Sequence, residues 1–240
     1  MCSLYLAVFF SAPVWATEEN KDAPPGRDAP ILDRHTSPDS SMMPSIQKIE
    51  DGVLRVGNIV VNKKQGYVLV QGEVNMQEGL VEYLACGMAG KLHESVLKLY
   101  SDPFHIQIAL LLFGLEPGKT PLKHQGDNAI PQGDPIDIRV TWLDNDHKTI
   151  THRAEALLLN QKTGQTMTET HWIFTGSQIM DGKFMAQVEH SIAATYHDPY
   201  ALIDHPLETG SDDTLYHANR EILPPIETKI QFIITSCQEK

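Results

Sequence analysis

The sequence predicts an α+β domain: a mostly antiparallel, twisted sheet or sheets, one long buried helix at about residues 103–113, and short helical turns. Three observations carry this expectation. Most of the chain after Gly52 alternates apolar and polar residues with a period of two, the pattern of half-buried strands. One segment, Phe104 to Phe113 (FHIQIALLLF), is apolar nearly all round, which suits a helix covered on most sides. Many strands around a single such helix read as sheet plus helix, and no internal repeat at a fixed period points elsewhere.

The elements follow in order. Leu54, Val56 and Ile59 to Val61 form a first strand with a bend at Gly57. Lys63 to Gly66 is a hairpin-like connection into Tyr67 to Val74, and Leu80 to Cys86 alternates again. His93 to Tyr100 (HESVLKLY) reads as a further strand. The helix is bounded by local signals: Asp102 suits the N-cap, Pro103 the first helical position and Gly114 the left-handed stop. Beyond it, Ile136, Ile138, Val140 and Trp142 alternate with polar residues, Asp144 to Lys148 turns the chain, and Ile150 to Leu159 returns. Thr168 to Phe174, Phe184 to Val188, Ile192 to Tyr196 and Ile230 to Thr235 complete the strands. Pro199 to Ile203 is expected as a short helical turn, capped by Asp198 and stopped by Pro206.

The N-terminal end carries a different expectation. Leu4 to Phe10 is a short apolar run and Val14-Trp15-Ala16 suits a signal peptidase, so residues 1–16 read as a cleaved signal and the protein as exported, periplasmic or extracellular. No Lys or Arg precedes the apolar run, which leaves the true translation start open. Residues 17–48, rich in Pro, Asp and Ser, read as a disordered spacer, and residues 49–240 as a single domain. No stretch approaches the roughly 20 apolar residues of a membrane-spanning helix. A formal net charge of −12 argues against nucleic acid and anionic membranes as partners, since both need a basic face. Cys86 and Cys237 lie beyond the signal; they are read either as a bridge or as two separate thiols.

The motifs exclude more than they select. Gly87, Gly90 and Lys91 have the wrong spacing for a phosphate loop, with Leu92 where Ser or Thr would hold magnesium, so no nucleotide site is expected. Too few cysteines are present for an iron–sulfur cluster. Asp144-Asn145-Asp146 lacks the rest of a calcium loop and reads as a hairpin turn. Thr175-Gly176-Ser177 lacks the second glycine of a nucleophile elbow. His93-Glu94 lacks the second histidine of a zinc-protease helix. On a strand, His93 and Ser95 share one face and could hold a metal or a polar ligand. His105, in the first helical turn, could join His93 as a neutral metal ligand.

Several blocks carry a family resemblance. Gly72-Glu73-Val74-Asn75, Gly79 to Leu84, Gly90-Lys91-Leu92-His93-Glu94-Ser95 and Pro103 to Gly114 are among them. So are Trp172 to Ser177, Ala193 to Pro199 and Ala201-Leu202-Ile203. Together they resemble the YdjY-type domain of exported bacterial proteins, over roughly residues 49 to 236. The resemblance implies no established activity; it implies that the signature blocks at His93 to Ser95 and Thr175 to Ser177 are the place to look.

The functional expectation is a non-catalytic exported module that binds a ligand or a metal. Its ligand residues are His93, Glu94, Ser95, Thr175 and Ser177, with His93 and His105 as the pair for a possible transition metal. Its partner would be a small ligand or an envelope protein. The alternatives are a metal-dependent or hydrolase-like enzyme using His93 and Glu94, and a structural module for envelope assembly.

Overall fold

A computed structural model of the chain describes residues 43–237. The expected signal peptide and most of the expected spacer lie outside the described residues. Alternating segments become strands as their pattern demands: β1 (Ile46–Glu50), β2 (Val53–Val56), β3 (Ile59–Asn62), β4 (Tyr67–Val74), β5 (Tyr83–Gly87) and β6 (Ser95–Leu99). Helix α1 (Pro103–Phe113) follows, then β7 (Asp134–Leu143), β8 (Thr149–Arg153), β9 (Leu158–Asn160), β10 (Gln165–Thr166) and β11 (Trp172–Phe174). The last part holds β12 (Ile179–Met180), β13 (Lys183–Phe184), α2 (Met185–Glu189), β14 (Ser191–Ala194), β15 (Ile203–Asp204), β16 (Tyr216–Ala218) and β17 (Lys229–Ser236).

The strands do not form an open sheet. They run β4-β17-β7-β11-β15-β14-β5-β6, and β6 pairs back onto β4 through Gly72↔Leu99 and Val74↔Leu97, closing an eight-stranded barrel. The α+β expectation is therefore corrected: the protein is mostly β, built on a closed barrel. The physical reason is that alternation specifies which face of a strand is buried but not which strand it meets. Closure is decided by the long-range β4–β6 pairing and by two parallel pairs, β5–β6 and β14–β15. Strands β1 to β3 extend beyond β4, and β8 pairs with the outer end of β7. Gln71 and Thr141 are polar neighbours of buried Val70 and Val140, so the barrel wall shows the expected in–out alternation.

Other differences are local. Gly57 does not bend one strand; with φ at 59° it turns the chain between β2 and β3, which pair through Val56↔Ile59. Lys63 to Gly66 does form the tight connection of the β3–β4 hairpin. Ile150 to Leu159 is interrupted by a 3-10 turn at Ala154–Leu157, and Pro199 to Ile203 is a simple turn rather than a helical one. Phe184 to Val188 is not a strand, because Met185–Glu189 coils into α2 and stops at His190 in the left-handed region (φ 53°).

Helix α1 occupies the expected residues. Asp102 is its N-cap, Pro103 its first residue and Gly114 its left-handed cap, with the Gly114 N–H bonding the carbonyls of Leu110 and Leu111. It is not covered on every side. Ile106, Ala109, Leu110 and Phe113 are buried at helical spacing, while Leu111 is 45% exposed. The helix lies on β3 and β4 with α2 beside it. Among the described residues, no helix is long and apolar enough to cross a membrane.

Candidate functional site

The Gly90-Lys91 block and Asp198 are linked through Tyr83 along the antiparallel pair of β5 and β14. Gly90 is required there: a Cβ on it would come within 2.8 Å of Cys86 Cβ and 3.0 Å of the His190 carbonyl, so the loop can approach β14 only without a side chain. That turn delivers Lys91, whose Nζ donates to the Tyr83 hydroxyl at 3.0 Å and stands over its ring. Tyr83, fully buried on β5, donates in turn to Asp198 Oδ2 at 2.8 Å. Burial and the adjacent Asp198 charge push the Tyr83 phenol far above its ordinary range, so it acts as a fixed strut rather than an acid.

Asp198 joins this strut to the other blocks. Its Oδ1 accepts the Tyr200 N–H at 2.9 Å, and its own N–H donates to Asp204 Oδ2 at 3.1 Å. It also lines a narrow crevice with Thr175 and Ser177, with room for about one water (about 10 Å³). Thr175 Oγ1 donates to the Ala201 carbonyl and Ser177 Oγ to that of Tyr200, at 2.9 and 2.7 Å. Ser177 Oγ also accepts the Ala186 N–H at 3.0 Å. Gly176 between them sits at φ 76°, and a Cβ there would collide with Pro117 at 2.3 Å. The two hydroxyls therefore brace the 198–203 turn.

Behind Asp198 lies a buried polar cluster that sequence reasoning missed. His197, Asp204 and His205 bring one ligand-type atom each to within 4.8 Å of one another. Both ring nitrogens of His197 face carbonyl oxygens, Nδ1 that of Asp127 at 2.7 Å and Nε2 that of His205 at 2.9 Å. A carbonyl only accepts, so both nitrogens donate and the ring is a cation, with Asp204 Oδ1 at 3.7 Å as its counter-charge. His205 is the opposite. Its Nε2 donates to the Thr195 carbonyl at 2.9 Å, while its Nδ1 accepts the Leu207 N–H at 3.3 Å, so this ring is neutral. Burial pushes His205 down to about 4. Burial pushes the Asp204 carboxyl up, while the His197 charge and the backbone N–H groups of His205 and Asp198 pull it back down. An imidazole that donates from both nitrogens has no lone pair for a metal, so this cluster is a structural lock. The signal for it was present as Tyr196-His197-Asp198-Pro199 and Asp204-His205-Pro206, but nothing local says that the two segments touch.

The expected site residues separate into groups. Leu92–Glu94 is a 3-10 turn and β6 begins only at Ser95, so His93 and Ser95 do not share a strand face. His93 is exposed, with Nε2 3.5 Å from Glu94 Oε2. Glu94 is half-buried beside Lys91, at 4.0 Å. Ser95 is buried and donates to the Leu97 carbonyl at 2.9 Å. His105 stands beside Gly57, whose added Cβ would lie 3.1 Å from its Nδ1. Two clusters of metal-type ligand atoms occur among the described residues, and neither includes His93 or His105. Cys86 and Cys237 are both free thiols, and burial pushes Cys86 up to about 12.

The sequence model of the YdjY domain matches residues 59–235, from β3 to β17. The chain belongs to the YdjY domain family. The matched span contains the barrel except the last residue of β17, and every block at Asp198, so the junction just described is built from family sequence. No curated protein and no solved structure matches this YdjY chain.

Proposed function

We propose that this YdjY domain is an exported, non-catalytic binding module, and that its ligand is positively charged. The observation that carries the reading is the pair of half-buried carboxylates at the outer end of the Lys91–Tyr83–Asp198 strut. The Glu82 N–H donates to the Glu94 carbonyl at 3.0 Å, which keeps the two acids side by side. Desolvation, and then the charge of Glu94, raise the Glu82 carboxyl above its ordinary range. Crowded negative charge of this kind is relieved by an ammonium or guanidinium group, whether of a small molecule or of a partner's basic segment. Lys91, bound to Tyr83 and 4.0 Å from Glu94, offsets part of this charge, His93 stands at the exposed margin, and Gln125 reaches Glu82 Oε2 at 3.4 Å. Thr175 and Ser177 contribute by fixing Asp198 from the far side. Export rests on the apolar run Leu4 to Phe10 and on Val14-Trp15-Ala16.

The test is a titration of the full chain with spermidine and with a short Lys/Arg peptide, followed by amide chemical shifts. Saturable shifts at residues 82, 94 and 125, lost in Glu82→Gln and Glu94→Gln, are the expected result. Shifts spread evenly over acidic surface residues, or none at millimolar ligand, would overturn the reading.

A further inference from the structure

The second ligand-atom cluster lies away from the signature blocks, at the end of the barrel where β17 finishes. Asp137 on β7, His171 just before β11 and Cys237 just after β17 bring a carboxylate oxygen, an imidazole nitrogen and a sulfur to within 4.8 Å of one another. Three adjacent strands hold them there. Pairing of Thr235 with Asp137 sets β17 against β7, the Cys237 N–H donates to the Pro135 carbonyl at 3.2 Å, and Trp172 pairs with Ile136. His171 Nδ1 is 3.0 Å from Asp137 Oδ1 and 3.2 Å from Cys237 Sγ. We propose that Asp137, His171 and Cys237 form a solvent-accessible, three-ligand site for a zinc-class divalent transition metal.

The donor set suits that class. Mixed sulfur, nitrogen and oxygen ligands select borderline ions such as Zn²⁺ and its spectroscopic substitute Co²⁺ over Ca²⁺ or Mg²⁺. Tetrahedral ligands at about 2.0–2.3 Å from a metal lie roughly 3.3–3.8 Å apart, so the three atoms need only a small outward shift. The surroundings also fit. Arg153 Nη2 donates to Asp137 Oδ1 at 3.0 Å and orients the carboxylate, while buried Glu155 accepts from the same Nη2 at 2.9 Å and from Nε at 3.1 Å. With Arg153 and Glu155 balanced, a thiolate, a carboxylate and a divalent ion sum to zero charge.

In the metal-free state the triangle is held by hydrogen bonds that pass through His171 Nδ1, which meets Asp137 Oδ1 on one side and Cys237 Sγ on the other. On binding, the imidazole proton moves to the exposed Nε2, the thiol proton leaves to solvent, and Nδ1 and the thiolate turn their lone pairs to the metal. One proton is released per ion. His171 is 60% exposed, so the fourth coordination position faces water. Neither His93 nor Glu94 takes part, which makes this site independent of the acidic rim.

The experiment is a Co²⁺ and Zn²⁺ titration of the untagged full chain under a phosphine reductant that keeps Cys237 reduced. One equivalent of Co²⁺ should give a thiolate-to-cobalt charge-transfer band. Cys237→Ser should abolish that band, and His171→Ala should weaken Zn²⁺ binding by at least about tenfold. His93→Ala and His105→Ala should bind as the wild type does. Thermal melts confirm that each variant is folded. No uptake by the wild type, uptake unchanged in both Cys237→Ser and His171→Ala, or uptake lost in His93→Ala would each overturn the proposal. Loss of spermidine binding in Glu94→Gln leaves this result untouched, so the two readings fail separately.

Discussion

The two His- and Asp-containing clusters use nearly the same residue types for opposite ends. At His197, Asp204 and His205 the ring nitrogens and both carboxylate oxygens face backbone partners, and all three side chains are buried. At Asp137, His171 and Cys237 the three side chains hydrogen-bond chiefly one another and are open to water on one side. The teaching is that proximity of ligand atoms is not enough. A histidine committed to two carbonyls locks a fold, whereas one whose bond can be exchanged for a metal is free to bind.

The largest effect should come from breaking the lock. His197→Ala leaves the Asp127 and His205 carbonyls without their donor and Asp204 without its counter-charge. The expected loss is about 3–5 kcal/mol, read by urea denaturation. A loss under about 1 kcal/mol would mean that the cation assigned to His197 is absent.

The pH dependence of the lock separates its members. Because the His205 pKa falls from 6.5 unfolded to about 4 folded, its neutral form contributes stability that is present above pH 6.5 and lost as pH falls toward 4. Asp204 has the opposite sign: burial raises its carboxyl, so it contributes stability that is present at low pH and lost as pH rises through its folded pKa. The two therefore oppose each other in the wild type as pH falls from 7 to 4. In Asp204→Asn the His205 effect is left alone, so that variant should lose about 3 kcal/mol over the same range, measured by denaturant midpoints. Parallel slopes in the two proteins would break this account.

A smaller effect is expected at the brace between these regions. Ser177→Ala removes one donor and one acceptor next to the 198–203 turn and should cost about 1 kcal/mol. The smallest belongs to the surface cluster. His171→Ala should change stability in the absence of metal by no more than about 0.5 kcal/mol, because the ring is mostly solvent-exposed. A larger loss would make that triangle structural too and erase the contrast.

The candidate regions were legible to different depths. Gly90-Lys91 and Thr175-Gly176-Ser177 were visible as blocks, and both do converge on Asp198. The roles inside them were not, since Lys91 and Tyr83 act through each other eight residues apart, across the rest of β5 and the turn after it, and the 3-10 turn at Leu92–Glu94 moved His93 off the strand face. His171 and Cys237 carried no pattern at all. They are 66 residues apart and meet only because β17 and β11 flank β7.

Short-range chemistry accounts for part of this architecture. Asp102, Pro103 and Gly114 bound α1, alternation marks β4, β7 and β17, and the blocks between residues 59 and 235 declare the YdjY family. Closure of the sheet through Gly72↔Leu99 and the helical state of Met185–Glu189 depend instead on long-range contacts. Tertiary contacts also set which histidines are locked and which, like His93 and His171, are exposed. The physical reason is common to all three: strand order and hydrogen-bond saturation depend on partners brought from distant parts of the chain, and a local pattern contains no information about them.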